Sequence, residues 1–183
     1  QLLEWAIEEP ALFEFIFPIA TNAVHSSWGR AFNASQRMCI EIDPSWKEKN
    51  VRAGTEGMKV ARSIALISYR QYDTYRITQA DHGDALQHFK SESYQRYQGE
   101  KLARRFNAFS YYVLSQGMDA HNVGRNRGGV EKALAGIGSK SLSIGVDSDV
   151  LYPVSEQAYI AEHIPFAEFA TIESFYGHDG FLL

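Results

Sequence analysis

Apolar residues at positions 2, 3, 6 and 7 share one face of a helix and Pro10 ends the pattern, which predicts a short opening helix. Behind it Leu12, Phe13, Phe15, Ile16, Phe17 and Ile19 form an aromatic and β-branched run, the make-up of a buried strand over 12–20. Polar and apolar positions then mix. Trp28, Phe32 and Gln36 keep helical spacing, and Asp43-Pro44-Ser45-Trp46 reads as a turn. A helix is predicted over 58–70, with Val60, Ile64 and Ile67 stacked at steps of three and four, whereas 71–85 is polar and reads as loop. The clearest helical stretch is 92–118, where Tyr94, Tyr97, Phe106, Phe109 and Val113 recur at helical intervals. Gly99 weakens its middle, so the stretch reads as one helix or two. The glycine- and arginine-rich segment 124–129 is a loop, and 130–137 a short helix.

The last third changes character. Residues 141–146 alternate as a strand, and Asp147-Ser148-Asp149 stands where it ends. An amphipathic helix over 155–163 turns Glu156 and Glu162 outward, offers Ala158, Ile160 and Ala161 to a core, and stops at Pro165. A second strand is expected over 169–173, followed by a loop to Gly177-His178. Strand, helix and strand in so short a span form a crossover unit, which makes the two strands parallel and adjacent. The fold class is therefore α/β: residues 1–21 and 130–183 form a parallel-sheet core, and 22–129 a helical insertion. Such an insertion is expected to cap the carboxyl edge of the sheet, where open α/β sheets place their sites.

Composition narrows the function. A chain of 183 residues, 45% hydrophobic and 22% charged, suits one globular domain or a large piece of one, and not a disordered segment. Its 18 basic and 22 acidic residues give a net charge of −4, which offers no basic face for nucleic acid. No apolar run reaches the roughly 18–20 residues that span a bilayer. Cys39 is the single cysteine, which excludes an internal disulfide and a cysteine-built metal site; it reads as a core residue. The opening at Gln1 inside a helix and the apolar close at Leu183 give the expectation of a fragment.

Two polar side chains fall just past the paired strands, Asp149 after the first and His178 after the second. A carboxylate and an imidazole in that order form the second half of a Ser-Asp-His constellation on an α/β scaffold. The acid would hold the imidazole, and the imidazole would take a proton from a nucleophile. The same spacing also suits a turn-capping aspartate and a plain loop histidine. No serine in the chain has glycine two positions away on both sides, as the Gly-x-Ser-x-Gly elbow requires. A nucleophile is therefore expected upstream of Gln1, and the chain by itself is expected to be inactive.

Six blocks carry a family resemblance: Leu3-Glu4-Trp5-Ala6 with Pro10; Ala61-Arg62-Ser63-Ile64-Ala65-Leu66-Ile67-Ser68-Tyr69-Arg70; Glu92-Ser93-Tyr94 with Tyr97-Gln98-Gly99-Glu100-Lys101; Met118-Asp119 with His121 and Val123-Gly124-Arg125; Asp147-Ser148-Asp149-Val150-Leu151-Tyr152-Pro153; and Tyr176-Gly177-His178-Asp179. In this order they resemble the homoserine O-acetyltransferases. The resemblance covers essentially the whole chain and implies the C-terminal portion of an α/β-hydrolase fold with a helical lid. It implies transfer of an acetyl group from acetyl-CoA to the hydroxyl of L-homoserine, a step of methionine biosynthesis, with acetyl-CoA as substrate and no bound cofactor or metal. It also implies a cytoplasmic enzyme, a homodimer formed through lid helices, and no nucleic-acid or membrane partner.

Matched residue by residue, the resemblance makes Asp149 the triad acid and His178 the base. It places substrate binding on Arg62, Tyr69 and Asp179. A guanidinium at Arg62 suits the carboxylate of homoserine and Asp179 its ammonium group; Arg62 as a solvated helix residue and Asp179 as a helix cap are the plain alternatives. Gly180 stands where the family usually has alanine, a change expected to matter little to chemistry. Other readings on the same fold are an esterase, a homoserine O-succinyltransferase or a serine acyltransferase. A non-catalytic piece that associates through the aromatic stretch 94–113 is a further one.

Overall fold

The computed structural model describes residues 1–48, 50–81, 83–84 and 86–183. In chain order the elements are α1 (Leu2–Glu8), β1 (Phe15–Ile16), α2 (Ser27–Glu41), α3 (Thr55–Tyr69), α4 (Tyr72–Thr78), α5 (Lys90–Ala103), α6 (Ala108–Asp119), α7 (Val130–Ala135), β2 (Lys140–Val146), α8 (Val154–His163) and β3 (Ala167–Ile172). A 3-10 helix, Gly177–Leu182, follows. The chain divides into two compact units, one made of Gln1–Ser26 with Ala120–Leu183, the other of Ser27–Asp119.

The first unit is the α/β part. Its three strands lie in the order β1-β2-β3 with both pairings parallel, as the crossover pattern requires. β2 and β3 are in register from Ser141 opposite Ala167 to Val146 opposite Ile172, so both strands finish at one edge. The run 12–20 yields only two strand residues, with an isolated bridge from Ile19 to Ile144 beyond them. Pro18 interrupts it, since a proline cannot donate to a ladder; its carbonyl still accepts the N–H of Ile144.

Leu3 and Ala6 of α1 enter a core with Ile16, Val123, Leu134, Ile137 and Ile160, and the flanking Leu2 and Ile7 pack against it. Arg127 ties α1 down, pairing with Glu4 Oε2 at 2.7 Å, with Glu8, and with the carbonyl of Val123. On α8 the residue buried beside Ile160 is Gln157 rather than Ala158 or Ala161, its amide donating to the carbonyl of Thr21. Glu156 is half-buried, and that burial pushes its carboxyl up.

Among its described residues the regular structure of the second unit is all helical, and several expectations change there. Residues 72–78 form α4 instead of loop, because the Gln71 side chain accepts the Asp73 N–H at 2.9 Å and caps the first turn. His82 and Ala85 of the expected loop lie outside the described residues. The long helical stretch does break, at 104–107 rather than at Gly99. Gly99 is where α5 crosses α3: a Cβ there would sit 2.8 Å from the Lys59 carbonyl. On α3 the buried face is Met58, Ala61, Ala65 and Leu66, whereas Val60 and Ile67 are exposed. The small residues of that face, Gly57, Ala61 and Ala65, let neighbouring helices approach. The aromatic stretch divides too, with Phe106 packed on a core of Ile40, Met58, Ala61, Leu102 and Ala108, and Tyr97 and Val113 exposed.

Candidate active site

β2 ends at Val146, and the chain turns at once, the N–H of Asp149 donating to the Val146 carbonyl at 3.1 Å. Asp149 is 5% exposed, and its carboxylate divides its work. Oδ1 accepts the backbone N–H groups of Leu151 and Tyr152, both at 2.8 Å. Oδ2 lies 2.7 Å from Nδ1 of His178. The turn-capping contacts and the contact with His178, alternatives in the sequence, thus coexist on one residue. A carboxylate only accepts, so the bonded imidazole nitrogen carries the proton.

His178 stands in the first turn of the 3-10 helix beyond β3. Its ring rests against Tyr152, centroids 5.1 Å apart, and against the edge of Phe181 at 5.4 Å. Tyr152 in turn faces the buried His25 at 6.1 Å. The loop that carries His178 is held by the two residues before Asp149. Asp147 Oδ1 accepts the Ser174 N–H at 3.0 Å, and Ser148 Oγ accepts the Gly177 N–H at 3.0 Å and donates to the Ser174 carbonyl. Side-chain pattern alone gives Tyr152 and Ser148 no role; the signal in the sequence is their place beside Asp149.

Asp179 follows His178 in the same turn, partly exposed. In the helical unit Arg62 and Tyr69 lie two turns apart on α3, and the Arg62 guanidinium stands 5.3 Å from the Tyr69 ring centre, a cation–π distance. Asp149 and His178 are therefore brought together, and so are Arg62 and Tyr69. Cys39 is half-buried, and burial pushes its thiol up, which disfavours the thiolate a nucleophile needs. Among the described residues no group of three or more His, Cys, Asp or Glu could hold a metal ion, and no helix is long and apolar enough to cross a membrane.

No family model matches the chain. Curated proteins do. A homoserine O-acetyltransferase of Cyclobacterium marinum is 45% identical over 181 residues, covering 99% of this chain and 52% of that protein. One of Trichormus variabilis is 37% identical, covering the whole chain and again 52% of the relative. Over its whole length this chain is similar to the homoserine O-acetyltransferases. It spans about half the length of the curated relatives it matches.

Solved structures agree on the fold. A homoserine O-acetyltransferase of Bacillus anthracis superposes with a TM-score of 0.87 at 18% identity, covering 96% of this chain and 51% of that one. One of Staphylococcus aureus gives 0.79 at 26% identity, covering 98% and 50%. Esterase E22, as its L374D mutant, gives 0.85 at 17% identity, covering 97% and 52%. These superpositions, with the parallel sheet and its flanking helices, make this a partial α/β-hydrolase fold.

Proposed function

We propose that this chain supplies the acid and base of a homoserine O-acetyltransferase, moving an acetyl group from acetyl-CoA to L-homoserine by double displacement. The bond between Asp149 and His178 at the shared edge of two parallel strands carries the reading. The chain has no serine in a Gly-x-Ser-x-Gly setting, so the proposal takes the nucleophile from outside these 183 residues. That serine attacks the thioester carbonyl while His178 removes its proton at Nε2, and the imidazolium returns the proton to the departing thiolate. The homoserine hydroxyl then attacks the acyl-enzyme, gives its proton to His178, and the serine recovers one as the ester leaves.

In this reading Asp149 keeps the imidazole in its Nδ1–H form and stabilises the imidazolium. Asp179, adjacent to the base in the chain, takes the ammonium group of homoserine. Arg62 remains the residue proposed for its carboxylate, and Tyr69 a further substrate-binding residue. A cytoplasmic location and a homodimer, which sedimentation would detect, come with the same proposal.

The test is to join this chain to the segment of the Cyclobacterium marinum relative that it does not match, and to follow thiol release from acetyl-CoA. Homoserine-dependent release, lost on His178→Ala and reduced about a thousandfold or more on Asp149→Asn, is the expected result. In the same protein Asp179→Ala raises the homoserine KM while sparing the acetylation half-reaction. Hydrolysis of p-nitrophenyl acetate with no response to homoserine would instead make the protein an esterase.

A further inference from the structure

The loop between β3 and His178 poses a backbone problem. Residues 173–176 leave the sheet at Ile172, so their N–H and carbonyl groups have no strand partner. The Ser174 hydroxyl takes the Tyr176 N–H at 3.3 Å from within the loop, and the triplet that closes β2 supplies further partners. Asp147 Oδ1 takes the Ser174 N–H at 3.0 Å. The Ser148 hydroxyl donates to the Ser174 carbonyl and accepts, at 3.0 Å, the N–H of Gly177, the residue bonded to His178. Asp149 Oδ2 then takes the imidazole itself at 2.7 Å. Three consecutive side chains thus grip three successive points of one loop.

A hydroxyl is well suited to the middle position. It donates and accepts through one atom, so Ser148 satisfies two backbone groups of opposite polarity three residues apart. Alanine there would leave the Ser174 carbonyl and the Gly177 N–H without their side-chain partner, and an asparagine or aspartate is too long for the same two points. Ser148 touches no reacting atom in this arrangement. Its effect reaches the imidazole through the Gly177–His178 peptide.

We propose that Ser148 is a positioning residue for His178, fixing the loop so that Nδ1 meets Asp149. The proposal builds on the reading of His178 as the base, but its test needs no turnover. The probe is the His178 Nδ1 proton in this chain, observed by NMR as a far-downfield signal whose exchange with water reports how long the contact with Asp149 holds. Ser148→Ala is expected to speed that exchange about tenfold, the scale of losing one or two net hydrogen bonds.

Ser148→Thr and Ser148→Val form the decisive pair, sharing a shape and differing in the hydroxyl. Faster exchange in Val than in Thr, with equal melting temperatures, assigns the effect to position rather than to stability. Equal exchange in Thr and Val, or in Ala and the unaltered chain, overturns the proposal. Neither overturning result touches the acyl-transfer reading, which stands or falls on thiol release.

Discussion

Asp149 can be taken apart with two substitutions, because its oxygens serve different partners. Asp149→Asn keeps an oxygen for the N–H groups of Leu151 and Tyr152 but turns a donor toward His178, so the neutral imidazole is expected to move its proton to Nε2. Nitrogen-15 shifts of the ring would read that inversion, with only about 1 kcal/mol lost from stability. Asp149→Ala removes both functions and is expected to cost about 3 kcal/mol or more in urea unfolding, since buried donors are orphaned. Gly180 is a second residue where detail matters. A Cβ there would lie 2.8 Å from Ser174 and from Val146 Cγ1, so alanine at this position has no room as the loop now stands. Gly180→Ala is expected to lower the melting temperature and to shift the Ser174 amide signal. The expectation that this departure from the family matters little concerned chemistry; in packing the position is tight, because the loop leaves no space for a Cβ.

Elements in the helical unit are pinned by a few buried contacts that a hydrophobicity pattern does not display. Asp43, 8% exposed in the turn after α2, accepts the N–H and hydroxyl of Ser45 and, at 2.8 Å, the N–H of Gly57 in the first turn of α3. Burial pushes its carboxyl up, but the hydrogen bonds from Gly57, from Ser45 and from the Glu56 N–H outweigh it and hold the group below the usual carboxylate range. A depressed native value means that the unfolded chain binds the proton first. The stabilisation is therefore complete above the unfolded value, about 4, and drains away as pH falls through the lower native one. Asp43→Asn should lose stability at pH 6 and show a shallower acid decline, which urea titrations at pH 3 and 6 would measure. The Asp43-Pro44-Ser45-Trp46 turn was legible from residue types. That its aspartate also caps α3 was not, because Gly57 is 14 residues away and no periodicity links them. Gly99 shows the converse: a helix-weakening residue, read locally, is the notch through which two helices meet.

At the scale of the whole chain, what sequence made legible was the topology and the residues at its edge. Strand, helix and strand in quick succession left parallel pairing as the consistent solution, and that pairing alone carries Asp149 and His178 to one rim. The extent of β1, the helix at 72–78 and the buried face of α3 were not legible, since each depends on a side-chain cap, a proline or a close crossing rather than on alternation. Leu134 tests the core on which the α/β unit rests: it is fully buried, and Leu134→Ala is expected to cost about 2–5 kcal/mol in chemical denaturation. The contact between Asp149 and His178 joins residues 29 apart across a parallel crossover, a pairing that local structure cannot preassemble. In refolding, then, the carboxylate and the imidazole cannot find each other until the crossover has docked and its second strand has seated. Their shared proton is therefore expected to report that docking, silent in any state where the two strands have not yet paired.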